Sequence, residues 1–167
     1  MSIDTLPLFL AHAIRLEEDS AVNYDAMAEA LEVHGKSPVA RLFRKMAHYS
    51  RLHLAEAEGR AAGLELPRLK TWEYQWPGDD SPENAPAGES DYAMNERDAL
   101  LLALKGEKGA LAFYASVMET SGDKGVADLA KEFVEEESEH VAILEEWLAR
   151  APETGRFEDL DPPIAIG

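Results

Sequence analysis

Four long segments of the chain repeat their apolar residues at helical spacing, and the connections between them run short, long, short. In the third, Leu100, Ala103, Leu104, Leu111 and Tyr114 line one stripe; in the fourth, Leu129, Phe133, Val134, Val141 and Leu144 do the same. No segment sustains the two-residue alternation of a strand. The ends are marked as well. A helix over about 6–34 has Asp4 or Thr5 as N-cap, Pro7 in its first turn and Gly35 as its stop; a second over about 38–62 opens on Ser37-Pro38 and ends at Gly63. The third, about 95–120, starts at Asn95 with Asp98 three residues on and stops before Ser121-Gly122, and the fourth, about 123–150, runs from Asp123 to Ala151-Pro152. Two or three residues join helices one and two, and likewise three and four, so each pair predicts an antiparallel hairpin. The hairpins are linked by one crossover, 63–94, rich in Pro, Gly and acids, and a short non-helical tail covers 151–167. The pattern predicts an all-α antiparallel four-helix bundle in a single domain, 1–167.

Composition narrows the function classes. A chain of 167 residues can bury one core. Its 16 Lys+Arg against 33 Asp+Glu give a net charge of −17, which argues against nucleic-acid and anionic-membrane partners, since both require a basic face. There is no cysteine, so disulfides, thiolate metal sites and cysteine nucleophiles are excluded. No apolar run approaches the roughly 20 residues that span a bilayer, and the first residues lack the basic start of a secretory signal. A cytoplasmic location is expected.

The two hairpins resemble each other. An offset of 90 residues places Ala13 on Ala103, Glu17 on Glu107 and Tyr24 on Tyr114; an offset of 87 places Met46 on Phe133, Ser50 on Glu137, His53 on His140 and Ala57 on Leu144. Two helical hairpins joined by one long crossover define the ferritin-like variant of the bundle.

The chemistry-bearing motif is Glu137-Ser-Glu-His140. Three residues of helix advance about 300° and 4.5 Å, so this carboxylate and imidazole project to one side and can ligate one metal. Glu107 lies in the apolar stripe of the third helix, where an acid is costly unless paired or metal-bound. Glu17 and His53 are its counterparts on the first hairpin. Bundles of this type build a dinuclear carboxylate centre from one Glu on each of two helices and Glu-x-x-His on each of the other two. Five of those six ligands are present.

With A-x-x-x-E-x-x-x-x-x-x-Y in helices one and three and E-x-x-H in helix four, the chain resembles the rubrerythrin family over roughly residues 6 to 150, in the form lacking the rubredoxin domain. The resemblance implies two non-haem irons held by Glu17, His53, Glu107, Glu137 and His140, with Tyr24 and Tyr114 two turns from the helix-one and helix-three ligands. It implies reaction with peroxide or oxygen, or iron handling, and a homodimer. Oxygen-and-imidazole sites also accept manganese or zinc. Two positions depart from the family. Ser50 stands where a bridging glutamate belongs, and two divalent ions facing three carboxylates keep an excess positive charge. Ala110 stands where rubrerythrins carry a further glutamate that one iron uses during peroxide reduction. Without cysteine the chain has no electron-transfer iron site of its own, so an external electron donor is required.

Other residues read differently. His12 and His48 lie about 140° round their helices from the nearest ligands and face elsewhere, and His34 suits the helix-one C-terminus. Glu56 follows His53 by one turn but points about 90° off the inward direction. Trp72 and Trp76 are expected to pin the crossover over the bundle, and the tyrosine hydroxyls require partners if buried. An iron-sequestering, ferroxidase-type protein and a metal-free scaffold are the alternatives to a redox enzyme.

Overall fold

In a computed structural model, residues 2–78, 80–83 and 94–151 are described; part of the crossover and all but the first residue of the tail lie outside them. The helices are α1 (Leu6–Glu32), α2 (Pro38–Ala61), α3 (Glu96–Thr120) and α4 (Lys124–Ala149), with one 3-10 turn, Thr71–Glu73, in the crossover. Among the described residues there is no strand. Each helix is a residue or two shorter than the apolar pattern suggests, because the pattern includes caps. Thr5, Ser37, Asn95 and Asp123 cap the four N-termini, each side chain accepting a backbone N–H of the first turn. Gly35 and Gly63 end the first hairpin's helices with φ of 110° and 81°, a region costly for residues with a Cβ.

Helix α1 packs along α2, and α3 along α4. Arg44 ties the first pair by reaching Asp25 and Glu32. The hairpins are clasped at both ends. Buried Glu96, at the start of α3, accepts from Ser37 Oγ at 3.0 Å and Val39 N at 3.4 Å, and Gly122 N donates to Asp4. No helix of the described residues is long and apolar enough to cross a membrane.

The core falls into two apolar clusters. One, around Phe43, Met46, Leu100, Leu144 and Trp147, fills one end. The other, around Phe9, Leu16, Phe113, Tyr114 and Phe133, fills the opposite end, with the Phe9 and Phe133 rings stacked at 5.6 Å. Between the clusters every helix places polar residues inward: Glu17 and Ser20, Ser50 and His53, Glu107, then Glu137 and His140. The bundle has a polar waist.

The crossover is seated on α1. His12, fully buried, accepts the Gln75 N–H at Nε2 (2.9 Å), so its Nδ1 carries the proton donated to the Leu8 carbonyl (2.9 Å). Tyr74 and Trp76 pack on its ring, at 5.1 and 5.0 Å. Trp76 thus pins the crossover as expected. Trp72 does not: it is 78% exposed, with Lys70 over its ring.

Candidate metal centre

At the waist, Glu107, Glu137 and His140 are buried and offer ligand atoms that all lie within 4.8 Å of one another, a grouping able to hold a metal ion. His140 Nδ1 lies 3.5 Å from Glu107 and 3.6 Å from Glu137. Glu17 and His53 approach from the other hairpin, Nδ1 of His53 lying 3.9 Å from Glu17. The two imidazoles stack at 5.7 Å and 14°. Thus the residues anticipated from the repeat occupy one layer, with both Nδ1 atoms turned toward carboxylates.

These side chains suit a cation. His53 Nδ1 and Glu137 Oε2 are buried without a hydrogen-bond partner, and so is the Tyr114 hydroxyl. A divalent ion offers the first two what the protein does not. The electrostatics agree. Burial pushes the Glu17 and Glu137 carboxyls well above the ordinary range, and the charge of Glu107 pushes them further. Burial also opposes ionisation of Glu107, but hydrogen bonding from Glu137, the His140 charge and the Tyr24 hydroxyl hold it at about 2. His140 is raised to about 12 against its own burial by the Glu107 carboxylate. His53 is lowered by burial and by His140.

The neighbouring residues divide. Tyr24 donates to Glu107 at 2.5 Å, whereas Tyr114 finds no acceptor. Ser50 is buried and shares a 2.8 Å hydrogen bond with Ser20, so a closed hydroxyl pair stands at the position that the repeat matches to Glu137. Ala110 belongs to the apolar end of the bundle. Glu56 turns outward to Arg60 at 3.2 Å and offers no ligand to the centre, although its charge bears on His53 and Glu136.

Two acids near the centre were not anticipated. Glu136 lies 3.6 Å from His53 Nε2, the ring nitrogen facing away from Glu17, and is raised to about 7 by burial and by Glu56. Glu83, from the crossover, is 4% exposed and has its carboxylate against Gly106 of α3. The readable signal was in α3: Gly106 and Gly109 flank Glu107, and glycine within a helix marks a close approach.

A model of the ferritin-like domain matches residues 9–154. The chain belongs to the ferritin-like family. It is similar to the crystal structure, at 2.00 Å, of an uncharacterized conserved protein from Magnetospirillum magnetotacticum MS-1, with 37% identity and a TM-score of 0.76 over 89% of this chain and 97% of that one. No curated protein matches.

Proposed function

We propose that this chain is a rubrerythrin-type non-haem metal protein whose centre is held by Glu17, His53, Glu107, Glu137 and His140 and reduces peroxide or oxygen. The observation that carries this reading is the buried convergence of Glu107, Glu137 and His140, opposite Glu17 and His53, with unpartnered ligand atoms on both hairpins. Iron bound there would supply the redox electrons. The chain's own residues do the rest. Tyr24 fixes one oxygen of Glu107, leaving the other toward His140. Glu136 faces the outer nitrogen of His53. The two apolar clusters close the centre from both ends of the bundle. An external electron donor and a homodimer complete the proposal.

The test is metal content after anaerobic ferrous loading and desalting, followed by peroxide consumption with a chemical reductant. The expected result is about two irons per chain and turnover that disappears in Glu137→Ala. Unchanged turnover in that variant would sink the mechanism. A second reading, iron sequestration of the ferroxidase type, is favoured by the acids around His53, where Glu56, Glu132 and Glu139 all raise Glu136. It requires ferrous uptake without continuing consumption of reductant.

A further inference from the structure

We propose that Glu83, carried by the crossover rather than by a helix, is the fourth carboxylate of the metal centre and takes over the charge that Ser50 does not provide. This rests on the metal-centre reading above. Three observations support it.

The first is a cradle. A Cβ on Gly106 would stand 3.0 Å from the Glu83 carboxylate and 3.4 Å from the Pro82 carbonyl, and a Cβ on Gly109 would stand 2.8 Å from Pro82. Two glycines in the middle of α3, on either side of Glu107, therefore leave the room in which Pro82 and Glu83 lie. Both would weaken an ordinary helix.

The second is an anchor. Asn23, the neighbour of Tyr24 on α1, donates its side-chain amide to the Glu83 backbone carbonyl. The crossover residue is thereby fixed between the two helices that carry Glu17 and Glu107.

The third is the surroundings. The charged groups that act on Glu83 from the packed helices are Glu107 on α3, Glu137 and His140 on α4, and Glu17 and Asp19 on α1; all but His140 oppose its charge. Burying ionised carboxylates side by side is unfavourable until protons or a cation neutralise them, and a divalent ion does so for several at once. Apart from Glu96 at the clasp, the buried acids of the described residues are Glu17, Glu83, Glu107 and Glu137. Four carboxylates neutralise two divalent ions, whereas the helices alone supply three.

The experiment is a cobalt(II) titration of the full-length protein, read by equilibrium dialysis and visible absorption, on wild type, Glu83→Gln, Gly109→Ala and Glu137→Gln, with melting curves in chelator. Wild type is expected to bind about two ions and Glu137→Gln fewer. Glu83→Gln is expected to lose one ion or bind it at least tenfold more weakly, while melting no lower than wild type in chelator. A merely structural Glu83 would lower that melting temperature and leave binding intact. Gly109→Ala keeps the carboxylate but displaces its cradle, and is expected to weaken the same ion; it decides the matter if Glu83→Gln does not fold. Wild-type loading in Glu83→Gln, or in Gly109→Ala where that variant decides, overturns the role of Glu83 alone if Glu137→Gln has lost metal. A wild type that binds no cobalt overturns both readings.

Discussion

Tyr24 reaches across the bundle from α1 to donate a 2.5 Å hydrogen bond to Glu107 on α3, and its repeat counterpart Tyr114, equally buried, donates to nothing. The repeat is symmetric in sequence and asymmetric in bonding. Tyr24→Phe is therefore expected to cost about 1.5–3 kcal/mol, the worth of a hydrogen bond to a charged group, and to let the Glu107 carboxyl titrate higher. Tyr114→Phe removes an unpaired hydroxyl and is expected to be neutral or stabilising in chelator. Chelator-treated melting curves of the two variants test this, and equal losses would contradict it.

Stability of the metal-free protein is expected to rise as pH falls from 9 to 7. His140 keeps its proton in the fold up to about 12, so the stability from its charged form is complete below the ordinary 6.5 and drains as pH climbs toward 12. Glu17, Glu83 and Glu137 are raised above 4.5 chiefly by burial, so they too favour the fold at lower pH. His12 and His53, lowered by burial, oppose this only below 6.5. A difference of one bound proton over this span is worth about 2.7 kcal/mol, or several degrees at roughly 2–4 °C per kcal/mol. A melting temperature that rises with pH would contradict the assignment.

Metal binding is expected to release protons. His140 and the raised carboxyls must give theirs up to ligate. In weakly buffered solution a pH indicator should show acidification on adding zinc or cobalt, and affinity should fall between pH 8 and 6. Binding with no proton release would place the metal elsewhere.

Two glycines are expected to respond in opposite ways. Gly59 in α2 has open space where a Cβ would go, so Gly59→Ala should gain about 0.5–1 kcal/mol from helix propensity. Gly109→Ala meets Pro82 and should show no such gain. Chemical denaturation of both variants checks this.

The legible parts of the sequence were those with a period. Caps and apolar stripes located four helices to within a residue or two, and the offset between hairpins brought Glu17, His53, Glu107, Glu137 and His140 into one layer. Glu83 had no such signal, because a residue on an irregular segment is placed by contacts that no spacing encodes. Only Gly106 and Gly109 hinted at it. The Ser20 bond to Ser50 was hidden too, since serine on a helix is as often solvated as paired. Trp72 and Trp76 looked alike in sequence, and only the His12 platform distinguishes them.

The polar waist also reverses where this bundle opens first. Helices ordinarily fray from their ends, where backbone groups lack partners. Here both ends are packed in apolar clusters and clasped by Glu96 and Asp4, while the middle holds acids that repel one another. In chelator, amide hydrogen exchange is expected to be fastest within the helices around Glu17, Ser50, Glu107 and Glu137, and slowest in the turns beside Phe43 and Phe113. Bound metal should invert that order, turning the most labile turns of the molecule into its most protected ones.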